Sequence, residues 1–261
     1  MEIAGARIWV TGASSGIGAA LARELADRGA QVAVSARSVD ALTEVAGGRM
    51  LVVPLDVTDR AATVAAGEAV RAALGGLDVA VLNAGTWSRF HVEPWDSQLF
   101  ADHQQVNVMG AVHTLEAVLP QMLAEGRGRV VGTASVAGYR GLPGSEAYGA
   151  GKAALLNLLE ALRGSVGPRG VVVQTVSPGF VRTPMTDRNR FPMPFLVEPE
   201  AAARTIADGI ARDKAEIVFP LPMAVAMKLA RLVPVRAWTA LTAALARRGL
   251  HGGPSRRGDT C

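Results

Sequence analysis

The chain has 261 residues, 49% of them apolar and 19% charged, which suits one large α/β domain with a sizeable core and excludes both disorder and two full domains. Its one cysteine, Cys261, is the last residue, so neither an intrachain disulfide nor a Cys/His metal cluster is expected, and a reducing, cytoplasmic compartment fits. The net charge of +4 is uneven: from Leu221 onward there are seven basic residues and one acid, against 20 basic and 22 acidic residues before, which argues against nucleic acid as a partner of the main body.

In chain order, Arg7 is followed by an apolar run too short for a signal peptide. That run opens a series of short apolar segments at 7–11, 31–36, 50–55, 77–82, 128–133, 171–176 and 216–219. They lack in/out alternation, as parallel strands covered on both faces should. Helical patterns lie between them. Ile17, Leu21 and Leu25 are spaced four apart, and Leu155, Leu158, Leu159 and Leu162 form another stripe. Strand–helix alternation predicts βαβ units and a doubly wound sheet, whose ligands lie beyond the carboxyl ends of the strands. The segment 182–199 carries four prolines and no clear period, and reads as a long, partly mobile loop of the functional kind.

The first strand runs into Thr11-Gly12-Ala13-Ser14-Ser15-Gly16-Ile17-Gly18 and then a helix. Three glycines permit a tight turn and close backbone approach to a pyrophosphate, and the helix N-terminus offers free N–H groups. The spacing G-x-x-x-G-x-G differs from the common dinucleotide fingerprint, so a ligand-free glycine turn stays open on this motif alone. After the second strand stands Ala36-Arg37-Ser38. No carboxylate is there to repel a ribose 2′-phosphate, and the Arg37 guanidinium would pair with one; a plain surface arginine would read the same way.

These residues, with those further on, resemble the short-chain dehydrogenase/reductase (SDR) family over roughly residues 1–220. The glycine loop has the family's spacing. Asp56 and Val57 fall in its adenine-contacting segment, and Asn83-Ala84-Gly85 matches the motif after the fourth strand. Asn107 lies in the expected helix, Ser135 follows the fifth strand, and Tyr148-Gly149-Ala150-Gly151-Lys152 is the family's Y-x-x-x-K. Pro178 and Gly179, with Val181 and Thr183, match the segment after the sixth strand. The resemblance implies one Rossmann-type doubly wound parallel sheet in the order 3-2-1-4-5-6-7, flanked by helices. It also implies a nicotinamide-dependent oxidoreductase with Asn107, Ser135, Tyr148 and Lys152 as catalytic residues; the preference for NADP(H) over NAD(H) is read from Arg37 and the absent acid beside it. Ser14, Ser15, Gly16, Ile17 and Gly18 would hold phosphate. Asn107 would hold a water that relays protons to Lys152, and Asn83 would tie strands together.

Tyr148 and Lys152 are four apart and share a helix face. A free tyrosine titrates near 10, and an adjacent ammonium favours its phenolate, so the pair is expected to draw the phenol toward the working pH. Gly132 and Ala134 stand where the family often has Asn and Ser, and Gly149 and Gly151 replace small polar residues. These glycines are expected to leave room for the nicotinamide or a bulky substrate.

A hydrophobic carbonyl or alcohol substrate is suggested by Trp87, Phe90 and Trp95, by Tyr139 and Leu142, and by Met185, Phe191, Met193, Phe195 and Leu196, unless these pack a lid. His91 and His103 read as surface residues. The stretch 221–251 reads as two short basic amphipathic helices divided by Pro222 and Pro234, and 252–261 as a disordered tail. The helices have three readings: a membrane-peripheral contact, a cover for the substrate entrance, or packing against the body or a partner subunit. By resemblance, assembly is into a homodimer or homotetramer through the helices of Tyr148 and Asn107. The competing functions are a non-catalytic redox sensor, disfavoured by the intact catalytic set, and a membrane-surface regulatory protein.

Overall fold

The computed structural model of the protein describes residues 1–187, 189 and 192–246; Phe191, Arg247, Arg248 and the stretch 252–261 lie outside them. Seven strands pair in parallel in the order β3-β2-β1-β4-β5-β6-β7. They are β1 (Arg7–Thr11), β2 (Gln31–Ser35), β3 (Leu51–Val52), β4 (Val79–Leu82), β5 (Gly128–Thr133), β6 (Val171–Pro178) and β7 (Glu216–Phe219). Between β1 and β4 lie α1 (Gly16–Asp27), α2 (Val39–Ala46) and α3 (Arg60–Leu74). Then come α4 (Ser97–Gln104), a π-helical turn at Gln105–Met109, α5 (Gly110–Glu125), α6 (Glu146–Val166), α7 (Pro199–Ala211), α8 (Leu221–Ala230) and α9 (Val235–Leu245).

Strand residues alternate between two separate cores. Ile8, Val10, Val32, Val34, Val79 and Val81 meet Leu21 and Leu25 of α1 and Ile206 and Ile210 of α7 on one face. Trp9, Ala33, Ala80, Leu82 and Val130 meet Val70 of α3, Leu115, Val118 and Met122 of α5, and Leu155 and Leu159 of α6 on the other. Gly132 is what brings α6 this close: a Cβ there would lie 2.3 Å from Leu159 Cδ1. The expected strand 50–55 is regular only at Leu51–Val52. Pro54 lacks a donor, yet Val53 N and Leu55 N still bond Val34 O and Ala36 O at 3.0 Å, so the chain follows β2 to its end. β6 runs two residues beyond expectation because Ser177 and Pro178 pair with Val218 and Phe219 of β7.

The chain order reverses between β1 and β4, which places a crevice at the carboxyl ends of those strands. Helix starts differ in a way that matters there. α2, α3 and α4 are capped by Ser38, Asp59 and Asp96, each accepting from the backbone N–H three residues on. α1 starts at Ser15 without a side-chain cap.

Candidate active site

The crevice is a cleft of about 780 Å³, and the glycine loop forms one wall. Gly12 has φ +67, and a Cβ there would lie 2.5 Å from Ala84 Cα. Gly18 passes so close to the loop that a Cβ would lie 2.2 Å from Gly12 O. Gly16, at φ +55, abuts Thr183, whose Cγ2 would stand 2.7 Å from its Cβ. Asn83 Nδ2 donates to Gly12 O at 3.1 Å, so Asn83 ties β4 to the loop while also lining the cleft. Ser14, Ser15, Gly16, Ile17 and Gly18 all face the cleft, and the uncapped first turn of α1 presents its N–H groups and positive dipole end there.

Every residue expected to hold a cofactor lines this one cleft: the loop residues, Arg37, Asp56, Val57, Asn83, Ala84, Gly85, Tyr148, Lys152, Pro178, Gly179, Val181 and Thr183. Arg37 is exposed at its rim. The Asp56 carboxyl is held below its usual range by the Thr58 N–H at 3.0 Å, the Thr58 hydroxyl at 2.8 Å and the Arg37 charge, against the opposing effect of partial burial. Thr186, which the sequence reading missed, also lines the cleft; its Oγ1 accepts from Thr183 N at 2.9 Å and fixes the turn after Val181.

Across the cleft stand Ser135, Tyr148 and Lys152. Ser135 caps the turn after β5, its Oγ accepting from Ala137 N at 3.2 Å, and its hydroxyl is hydrogen-bonded to the Tyr148 phenol. Burial raises the Tyr148 pKa and outweighs the lowering by that bond. The sequence expectation ran the other way, because it counted the Lys152 charge and not the desolvation of the phenolate. Lys152 is only 3% exposed, donates to Thr133 O at 2.8 Å and sits 5.6 Å from the Tyr148 ring centroid. Burial lowers its pKa to about 8.

That lowering sets a sign for stability. A lysine whose folded pKa lies below its unfolded value of 10.5 carries its full burial penalty below about pH 8, where both states are protonated; the penalty fades as pH rises toward 10.5. Relative to Lys152→Met, the wild-type protein is therefore expected to gain about 1 kcal/mol in urea denaturation between about pH 7 and about pH 9. A difference that stays flat with pH would contradict the placement of this amine.

Asn107 sits on the π-helical turn with its side chain fully engaged: Oδ1 accepts from Thr86 N at 2.8 Å and Nδ2 donates to Thr86 O at 3.0 Å. It clamps the segment after β4 and does not itself line the cleft, although Gln105 and Val106 beside it do. Gly85 makes this clamp fit, since a Cβ would lie 3.0 Å from Asn107 Oδ1 and 3.5 Å from Lys152 Nζ. Gly151 and Gly149 make room for protein and not for ligand: Cβ atoms there would lie 3.1 Å from Gln104 Oε1 and 3.3 Å from Ala137 O.

Of the expected substrate residues, Met185 lines the cleft, whereas Trp87 and Leu142 are half-buried outside its wall. Tyr139 is turned away, buried with Val136 and Met227 beneath α8. Phe90 is buried edge-on against Trp95 and Phe100. His103, expected at the surface, is 1% exposed. Its Nε2 accepts from Ser88 N at 3.0 Å, so Nδ1 carries the proton toward Leu99 O at 2.8 Å. His91 is exposed as expected.

A family model described as short chain dehydrogenase matches residues 6–192. The chain belongs to the short-chain dehydrogenase family. It is therefore an oxidoreductase of the SDR class, dependent on NAD(P), with the family's seven-stranded sheet. An uncharacterized oxidoreductase of Myxococcus xanthus is 42% identical over 233 residues, covering 86% of this SDR chain and 91% of the relative. A short chain dehydrogenase of Burkholderia cenocepacia, solved with NADP, superposes with TM-score 0.81 at 26% identity, covering 93% of this chain and 99% of that one. An SDR of Burkholderia phymatum, solved with NAD, also gives 0.81, at 24% identity over 88% of this chain and 94% of that one.

Proposed function

We propose that the protein moves a hydride between NADP(H) and the carbonyl or secondary-alcohol carbon of a small, apolar substrate, with Tyr148 as general acid and base. The observation that carries this reading is the meeting of Ser135, Tyr148 and Lys152 on the wall opposite the glycine loop, in one cleft. The residues fit a dinucleotide: the uncapped start of α1 and the close-packed Gly12 and Gly18 suit a pyrophosphate, and about 780 Å³ lies within the usual range for small-molecule sites. When bound, the cofactor supplies the hydride and, when oxidised, a positive ring.

The chain's own residues have separable tasks. Ser135 holds the substrate oxygen against Tyr148. The Tyr148 phenol, kept protonated by burial, gives its proton to that oxygen during reduction. Lys152, steadied by Thr133 O, supplies the positive charge that favours the phenolate left behind. Because the Asn107 amide is committed to Thr86, its task is to hold the segment after β4 in place beside Lys152.

NADP is favoured over NAD because Arg37 stands at the rim with Ala36 and Ser38, and the segment after β2 carries no carboxylate to oppose a 2′-phosphate. The two solved relatives hold one cofactor each and do not decide this. Arg37→Asp is expected to shift the NADP/NAD preference toward NAD by roughly 10- to 100-fold, the size of one charge-assisted hydrogen bond. Fluorescence titration of NADPH and NADH against both proteins measures it, and an unchanged ratio would remove Arg37 from the reading. Met185 gives the substrate side of the cleft its apolar character.

The same reading places the enzyme in the cytoplasm as a homodimer or homotetramer. Ala150, Ala153, Ala154 and Asn157 leave the outer face of α6 exposed and close enough for a second helix. Light scattering measures the assembly.

A further inference from the structure

We propose that α8 and α9 dock this enzyme on an anionic lipid surface. α8 has two apolar faces, and only one is used by the fold. Ala224, Met227 and Ala230 are buried, Met227 against Val136 and Tyr139. Leu221, Val225 and Leu229, spaced four apart, fall on the opposite side of α8 as one stripe, and Leu232 in the turn after it and Val235 at the start of α9 are exposed as well. Leu221 is 73% exposed, Leu232 80% and Val235 67%. Single exposed apolar residues are ordinary, but a run of adjoining ones marks an interaction surface.

The charges carried by α8 and α9 themselves have one sign. Between Leu221 and Ala246 the sequence holds Lys228, Arg231 and Arg236 and no acid, and the sequence after it has Arg247, Arg248, Arg256 and Arg257 and a single acid, Asp259. Lys228 is partly neutralised by Glu216 at 2.6 Å. A second copy meeting the stripe about a two-fold axis would bring the arginines against one another. Anionic headgroups complement them while the leucines enter the interface, which favours a bilayer over self-association.

The docking face is anchored to the body beside the cleft. Trp238 Nε1 donates to Gly141 O at 2.8 Å, and Arg140 donates to Val233 O at 2.9 Å while lying 5.5 Å from the Trp238 ring centroid. Arg231 lies 5.7 Å from the Tyr139 ring centroid. Met223 reaches the cleft wall, its Cγ standing 3.1 Å from where a Cβ on Gly179 would be.

Co-sedimentation of the full chain with vesicles tests this. The protein is expected to pellet with vesicles of equal parts phosphatidylglycerol and phosphatidylcholine, to be released by salt, and to stay in solution with phosphatidylcholine alone. The double variant Leu229→Asp with Leu232→Asp is expected to lose binding by at least about tenfold while keeping wild-type helix content and mass, since both side chains face outward. Three results would overturn the proposal: no binding of the wild type to the anionic vesicles, equal binding of the double variant, or a fall in its mass by light scattering. The last would assign the stripe to contact between copies of this chain.

Discussion

Tyr148→Phe is expected to lower kcat by about 10²–10⁴-fold while leaving reduced-cofactor affinity within a few-fold of wild type, the range spanned by loss of a general acid. No neighbour can replace the phenol. The Ser135 hydroxyl is too weak an acid, and the Lys152 amine is held by Thr133 O, with its nitrogen 5.6 Å from the Tyr148 ring centroid. The fold should survive, because the ring remains and the hydrogen bond lost is the one to Ser135. Steady-state reduction of an apolar ketone, paired with a fluorescence titration of NADPH, separates the two effects. Loss of cofactor binding in parallel with turnover would mean that the phenol organises the cleft and does not act on a proton.

Gly18→Ala is expected to weaken NADPH binding by roughly 10- to 100-fold, corresponding to an overpacking cost of about 1–3 kcal/mol. The new methyl carbon would lie 2.2 Å from Gly12 O and 2.4 Å from Asn83 Nδ2. Neither is the free end of a flexible chain: one is backbone, and the other is tethered to Gly12 O. The glycine loop must then move off the start of α1, and the N–H groups lose their common aim. Gly164→Ala is the matched control, since nothing lies within 4 Å of a Cβ there in α6; it should leave binding alone and stabilise the helix by about 1 kcal/mol. Equal binding by Gly18→Ala would show that the loop does not need its close approach.

The parts of this molecule legible in the sequence are those governed by local chemistry. The run from Thr11 to Gly18 and the shared helix face of Tyr148 and Lys152 follow from spacing, while the strand order follows from the family resemblance. What was not legible depends on which elements meet. The burial of His103 depends on Ser88 lying across α4, and nothing in its own neighbourhood announces that. Tyr139 looked like a pocket residue because it follows Ser135, but α8 returns from β7 to cover it. Gly149 and Gly151 read as room for ligand, while the space they leave is bounded by the Ala137 carbonyl and Gln104. The commitment of Asn107 to Thr86 depends on the π-helical turn, which has no sequence signature of its own. Thr133, the acceptor for Lys152, could have been found: it ends β5, and the carboxyl end of a strand is where such a sheet places its chemistry.

The most direct test follows the hydride itself. NADPH carrying deuterium at the transferable C4 position is incubated with the wild-type protein and an apolar ketone, and the product is read by mass spectrometry. The account predicts an alcohol with deuterium on the carbinol carbon, formed in step with cofactor oxidation. Cofactor consumed without deuterium appearing in an alcohol, or cofactor bound and unconsumed across a broad set of apolar ketones and aldehydes, would contradict it.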